Sequence, residues 1–330
     1  MYTMETGVRT VSVTENEILL NGNPLFLKGF GKHEDFPIFG RGSAYPVMVK
    51  DYELMKWTGA NSFRTSHYPY DEEFYKMADR EGFLIIDETP SVGLFFNDDS
   101  ASISLREKQC KRYIEEMISR DKNHPSVIMW CVANEPFPSN LGAQGFNGTS
   151  QMTEESKIAE AFLSGLIAYA KELDSTRLVT FVGVMGGPSS WMKSCDIIAI
   201  NRYWGWYTNV GDFSSALKYL EGEMDMLHSQ LKKPVIITEF GADAIAGMHA
   251  LEDEIYSEEY QTKLIKSYLD IAETKNYVAG MHVWNFADFR TGQSLIRVGG
   301  MNLKGVFTRD RKPKQAAHYL RSRWNSEMKE

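Results

Sequence analysis

Cysteine is scarce in this chain of 330 residues: Cys110, Cys131 and Cys195 are three in number and widely spaced. That count excludes a disulfide framework and a cysteine zinc site, and it fits reduced, buried thiols in a cytoplasmic setting. No apolar run approaches the roughly 20 residues that span a bilayer, and the N-terminal MYTMETGVRT has no apolar leader core. A soluble chain with no membrane partner is therefore expected. Lys and Arg number 36 against 44 acidic residues, a net charge of −8, and no run of them could track a phosphate backbone, so nucleic acid is excluded as a partner. The histidines form neither an i, i+4 helix pair nor a His-X-His strand pair, so no metal is expected. A glycine-rich nucleotide turn is also missing: Gly29-Phe30-Gly31 runs into Lys32-His33-Glu34-Asp35, with no third glycine and no helix start. No cofactor is expected. Asn147-Gly148-Thr149 matches a glycosylation triplet, a pattern that chance supplies often.

What is abundant is core. With 43% hydrophobic and 12% aromatic residues, the chain can fill one large domain. Apolar runs of strand length fall at 24–30, 60–66, 83–88, 127–135, 178–184, 196–203, 235–240 and 278–286. Amphipathic helical patterns occupy 47–57, 72–81, 105–120, 154–173, 213–231 and 257–274, with another at 313–324. Only a stub around 189–193 fits between the fifth and sixth strands. Eight strands with crossovers in one chain predict an α/β fold of the (β/α)8 TIM-barrel type rather than an open doubly wound sheet. Residues 8–23 alternate and turn at Asn21-Gly22, so residues 1–23 are expected to carry a short hairpin that closes the barrel bottom, and 24–330 the barrel.

In such a barrel, reactive groups collect where strands end. The strand ends here supply His33, Glu34 and Asp35, then Arg64 and His67, then Asp87 and Glu88. Further on come Asn134 and Glu135, Asn201, Tyr203 and Trp204, then Glu239, and last Trp284, Asn285 and Asp288. Glu135 ends VIMWCVANEP and Glu239 ends VIITEFG, on the fourth and seventh strands. Two glutamates facing each other about 5–5.5 Å apart are what a retaining glycosidase needs, one as nucleophile and the other as acid and base. Two surface-loop glutamates would be the plainer explanation, but it leaves the Asn before Glu135 and the apolar run before each unaccounted for. Trp204, Trp206, Tyr203, Tyr207 and Trp284 near strand ends could stack on sugar rings, although aromatics alone more often mark core.

Nearly the whole chain resembles glycoside hydrolase family 2, and within it the glucuronidase branch. The likeness runs from FLKGFGKHED through GANSFRTSHYPY, IIDETPSVG, RDKNHPSVIMWCVANEP, INRYWGWY, ITEFGADAIAGMH and VWNFADFRTGQ to LKGVFTRDRKPK. It implies a retaining hydrolase of β-D-glucuronides, with Glu135 as acid/base and Glu239 as nucleophile. It further implies that Asn134 holds the sugar 2-hydroxyl and that Tyr203 donates to the nucleophile. His33, Asp35, His67, Asn201, Tyr207 and Trp284 would line the sugar subsite, and Asn302-Leu303-Lys304 would grip the C6 carboxylate. Such a grip has its own logic, because an anion entering a site with two glutamates needs a fixed cation and a neutral donor. The segment from Arg297 to Asn302 is one residue longer than the family pattern, so Arg297 is not carried over with the others. Family members carry jelly-roll and immunoglobulin-like domains before the barrel; neither is expected within this sequence, and an uncovered apolar face would favour a homo-oligomer. Two readings stay open beside the glucuronidase one: a barrel acting on neutral β-galactosides or β-mannosides, and a carbohydrate-binding barrel without catalysis.

Overall fold

In the computed structural model, which describes residues 6–138 and 153–326, side-chain parity along each barrel strand decides what faces the axis. Strand residues alternate between two faces. On β5 (Ser62–Thr65) Phe63 packs outward, and on β6 (Leu84–Glu88) Ile85 does the same, while Ile86 joins the inner core. On β7 (Val127–Asn134) Trp130 is outside and Met129 and Cys131 are inside. The remaining barrel strands are β4 (Leu27–Lys32), β8 (Leu178–Gly183), β9 (Ile198–Asn201), β10 (Val235–Glu239) and β11 (Val278–Val283). Together these eight close in the order β4 to β11, with β11 returning to β4 through Gly280↔Leu27 and Val283↔Phe30. The expected (β/α)8 barrel is therefore the fold.

Helices α1 (Tyr45–Thr58), α2 (Glu72–Glu81), α3 (Ser100–Asp121), α4 (Glu154–Leu173), α5 (Phe213–Leu231) and α6 (Glu258–Glu273) form the crossovers, and α7 (Gln315–Ser326) packs against α1 and α6. Side chains start several of them: Asp71 accepts from Glu73 N, Asp99 from Ala101 N and Ser102 N, and Ser257 from Tyr260 N. Between β8 and β9 only the 3-10 turn Ser189–Met192 intervenes, as the short gap predicts.

The N-terminal segment is a three-stranded antiparallel sheet, not a two-stranded hairpin: β1 (Val11–Val13), β2 (Ile18–Leu20) and β3 (Asn23–Leu25). Asn21 and Gly22 both have positive φ (52° and 79°), which suits the tight turn joining β2 to β3. Ile18 is buried among Leu27, Ile86 and Met129, so this sheet plugs the end of the barrel where the strands begin. The apolar run 24–30 divides at Phe26 between this sheet and β4. Asn61 pins the division, donating to Phe26 O (2.9 Å) and accepting from Lys28 N (2.8 Å). Hydropathy is continuous across that point, so only the tertiary contact marks it. The three cysteines are buried and unpaired. Among the described residues no helix is long and apolar enough to cross a membrane. Asn147-Gly148-Thr149 lies outside the described residues.

Candidate active site

The deepest polar layer is built on Arg64. Parity places it inside β5, where it is fully buried and donates through Nη1 to Glu88 and through Nη2 to Glu239. Glu88, the last residue of β6, also receives His67 Nδ1 at 2.6 Å. The other imidazole nitrogen, Nε2, stands 3.8 Å from Glu239 Oε1. From the opposite side Tyr203 donates its hydroxyl to Glu239 Oε2 at 2.6 Å. Burial, and then the negative charge of Glu239, push the Tyr203 phenol well above its ordinary value, so it remains a donor. Glu239 thus ends β10 with one oxygen on a cation and the other on a phenol.

Glu135 has a different environment. It follows the last residue of β7 with φ of 48°, an uncommon conformation for a residue with a side chain, and its N–H is tied to Val182 O at 2.8 Å. Its Oε1 accepts from Asn201 Nδ2 at 3.0 Å, and no cation is bonded to it among the described residues. Burial and the neighbouring Glu239 charge raise its pKa above the usual carboxylate value. Asn201 also donates to Asn134 Oδ1 (3.2 Å) and accepts from Thr238 (2.9 Å). Because Asn134 Oδ1 takes donors from Asn201 and, at 3.5 Å, from Arg64, its NH2 is the end left for the cavity.

Around this pair opens a cavity of about 430 Å³ lined by His33, His67, Asn134, Glu135, Tyr203, Tyr207, Glu239, Trp284, Arg297 and Asn302. Trp284 forms one wall, stacked on His67 at 5.2 Å and 19°. It is seated on Gly31, where a Cβ would come within 2.5 Å of the indole ring. His33 packs edge-on to Trp284 at 5.5 Å, and burial, with nearby positive charge, holds its imidazole well below the usual pKa and therefore neutral.

At the other end lies a cationic corner. Tyr207 Oη accepts from Lys304 Nζ (2.9 Å) and Arg297 Nη2 (3.1 Å). Lys304 is fully buried and does not line the cavity; its ammonium is paired with Asp243, whose other oxygen accepts from Leu303 N at 2.8 Å. Asn302 reaches the cavity and its Oδ1 accepts from Lys304 N at 3.1 Å. Arg297 Nη1 is buried 3.9 Å from Asp243 and has no hydrogen-bond partner among the described residues.

The structure therefore gathers most residues named from the sequence, at different depths. Asn201 and Lys304 stand behind the lining. Asp35 stands apart from it, with its oxygens taken up by Arg309 (2.7 and 2.8 Å) and Arg290 N (2.8 Å). Asp87 points out of the barrel to Tyr75 (2.7 Å) because Glu88 beside it points in. Trp204 faces Tyr219 and Glu223 on α5, and Asp288 pairs with Lys314. Arg64 and Glu88 were legible as strand-end residues, but not Arg64 as the cation shared by Glu88 and Glu239. Asp243 carries no signal in the sequence. Among the described residues no three His, Cys, Asp or Glu side chains assemble as metal ligands.

Residues 11–328 match the family model described as glycosyl hydrolases family 2, TIM barrel domain. Among similar curated proteins, the β-glucuronidases of Rattus norvegicus and Homo sapiens are 43% and 42% identical over 98% of this chain. The chain spans about half their length, 47% of each. A solved structure, the β-glucuronidase from Ruminococcus gnavus in complex with D-glucuronic acid, superposes with a TM-score of 0.88 at 42% identity, covering 98% of this chain and 53% of that one.

Proposed function

Because the chain belongs to glycosyl hydrolase family 2, we propose that it is the catalytic barrel of a retaining β-glucuronidase. The observation that carries this reading is the unequal treatment of its two cavity glutamates. Glu239 is held by Arg64 and Tyr203, a setting for a carboxylate, while Glu135 is held by the neutral Asn201 and shifted toward its protonated form. A nucleophile must be ionised and a general acid must carry a proton.

In this reading Glu239 attacks the anomeric carbon while Glu135 protonates the departing oxygen. Glu135 then draws a proton from water, which displaces Glu239. The Asn134 NH2 meets the sugar 2-hydroxyl, and Trp284 with His33 flanks the ring. The substrate C6 carboxylate meets Arg297, Asn302 and the Tyr207 hydroxyl, with Lys304 supplying positive charge from behind Tyr207. That corner favours a uronate over a neutral hexose, because a neutral sugar would leave these donors without an anion. The likeness to β-glucuronidases and the glucuronic acid bound by the Ruminococcus gnavus enzyme support the same choice.

The test is hydrolysis of an aryl β-glucuronide beside the matching β-galactoside, with the first-formed anomer read by NMR. Faster release from the glucuronide as the β-anomer is expected. A galactoside preference, or an α-anomer first, would overturn the assignment.

A further inference from the structure

Glu88 is fully buried, does not line the cavity, and yet makes some of the closest polar contacts of the site. Arg64 Nη1 and His67 Nδ1 bind its two oxygens, and Cys131 Sγ approaches at 3.3 Å. Both of its main partners also face Glu239. We propose that Glu88 is a positioning residue, the permanent counter-ion of Arg64, which keeps that guanidinium paired while Glu239 is converted to an ester. The inference rests on the two-glutamate reaction above.

In the first half-reaction a Glu239 oxygen bonds to the anomeric carbon as the bond from that carbon to the aglycone oxygen breaks. The bonding electron pair leaves on that oxygen, which takes the proton of Glu135. Glu239 thereby passes from an anion to a neutral ester. In the second half-reaction Glu135 removes a proton from water and the water oxygen bonds to the same carbon. The ester pair then returns to Glu239 as negative charge.

Between the two steps Arg64 has lost one of its two anions. It is fully buried, and its other polar contacts are long and include no anion: His67 Nδ1 at 3.4 Å, and Asn134 Oδ1 and Thr238 O, each at 3.5 Å. The remaining anion is Glu88. Arg64, Glu88 and Glu239 together carry one negative charge before attack and none in the intermediate. With a neutral residue at position 88 the same three would be neutral before attack and a bare buried cation afterwards, an arrangement that desolvation penalises heavily. Glu88 is suited to the task because it stays ionised: burial pushes its carboxyl up, but Arg64 and His67 more than offset this and hold it below the ordinary value. The contact to His67 Nδ1 also sets the imidazole plane, so that Nε2 is turned toward Glu239.

The test compares Glu88→Gln and Glu88→Asp in the intact protein, using a 2-deoxy-2-fluoro-β-glucuronyl fluoride that forms the ester and releases it slowly. Three quantities are read: the labelling rate, the rate at which labelled protein recovers, and the inhibition constant of a non-reacting glucuronate analogue. Glu88→Gln is expected to label about 100-fold more slowly, to recover at least as fast as the parent, and to bind the analogue within about threefold of it. Glu88→Asp, which keeps the charge, is expected to regain most of the labelling rate. Equal slowing of labelling and recovery, analogue binding that weakens in step with labelling, or an unchanged labelling rate would each overturn the proposal. Should Glu88→Gln not fold, Glu88→Asp decides alone: labelling as slow as a hundredth of the parent's with normal analogue binding would show that geometry rather than charge matters. A parent that fails to label at Glu239 would overturn the two-glutamate reading itself, a result distinct from normal labelling of Glu88→Gln.

Discussion

Lys304 directs its ammonium at Asp243, and the two form a fully buried ion pair behind the cavity wall. The lysine of the Asn-Leu-Lys segment therefore already has an anion before any substrate arrives. Its positive charge reaches the cavity through Tyr207, whose hydroxyl also takes a hydrogen bond from Arg297. The net charge of Arg297, Lys304 and Asp243 is one positive unit, the complement of a single carboxylate.

Truncating Lys304 alone is accordingly expected to destabilise the protein, since removing one partner of a buried pair costs about 3–5 kcal/mol. The double variant Lys304→Ala/Asp243→Asn removes both charges and should recover much of that loss in a thermal melt. In that background the corner keeps one positive unit, now on Arg297 alone, but Tyr207 loses the Lys304 ammonium, and kcat/KM for an aryl β-glucuronide should still fall by about tenfold or more. The slow hydrolysis of the matching β-galactoside should change by less than about tenfold. Parallel losses on both substrates would reduce the lysine to a structural part.

Arg297 lines the cavity beside Asn302 and Tyr207, and in the proposed function it joins the carboxylate grip. Arg297→Gln should raise KM for the glucuronide far more than for the galactoside, by about 2 kcal/mol of discrimination, while melting within a few degrees of the parent. A specificity ratio that does not move would remove Arg297 from the uronate contact.

Glu239→Gln is expected to abolish turnover while leaving the melting temperature near that of the parent, because an amide forms no glycosyl ester. Mass spectrometry after labelling with a 2-fluoro glucuronide should place the adduct on the peptide containing Glu239. A label on another residue contradicts the nucleophile assignment.

The raised pKa of Glu135 sets the sign of a pH effect. The acid works only while protonated, so kcat/KM should decline as pH rises through that value. Asn201 bonds the ionised carboxylate and so pulls the pKa down; Asn201→Ala should therefore move the basic limb to higher pH. In Glu135→Ala that limb should vanish, and substrates with good leaving groups should suffer least. A basic limb unmoved by Asn201→Ala would assign it to some other group.

Gly31→Ala would drive a methyl group into the Trp284 ring, 2.5 Å away. The indole must shift, and sugar binding should weaken by about tenfold with near-normal far-UV circular dichroism. Unchanged KM would show that Trp284 is not a platform for the ring.

Much of this was open to reading along the chain. The β7 run VIMWCVAN and the β10 run VIITE are apolar for their whole length and then stop at a carboxylate, and a parallel barrel concentrates such stops on one face. The boundaries of α2, α4 and α5 followed from amphipathic periodicity, and in the structure Asp71, Thr153 and Asp212 cap them. Period two also decides that Glu88 faces the axis and Asp87 does not, once a single inward residue of β6 is known.

The partners were decided elsewhere. Arg64 lies 24 positions from Glu88 and 175 from Glu239, and Lys304 lies 61 from Asp243. Local pattern carries no information about such separations. Asp35 shows the converse: it sits beside His33 at the end of β4, where chemistry gathers, yet Arg309, from the far end of the chain, takes up its carboxylate. The sequence by itself determined the eight-stranded barrel and the two glutamates at its mouth, because periodicity and strand termination are local properties of the chain. Which carboxylate holds the proton, and which cations are already spoken for, was decided only by the tertiary structure, because burial and charge pairing depend on neighbours that the fold brings together.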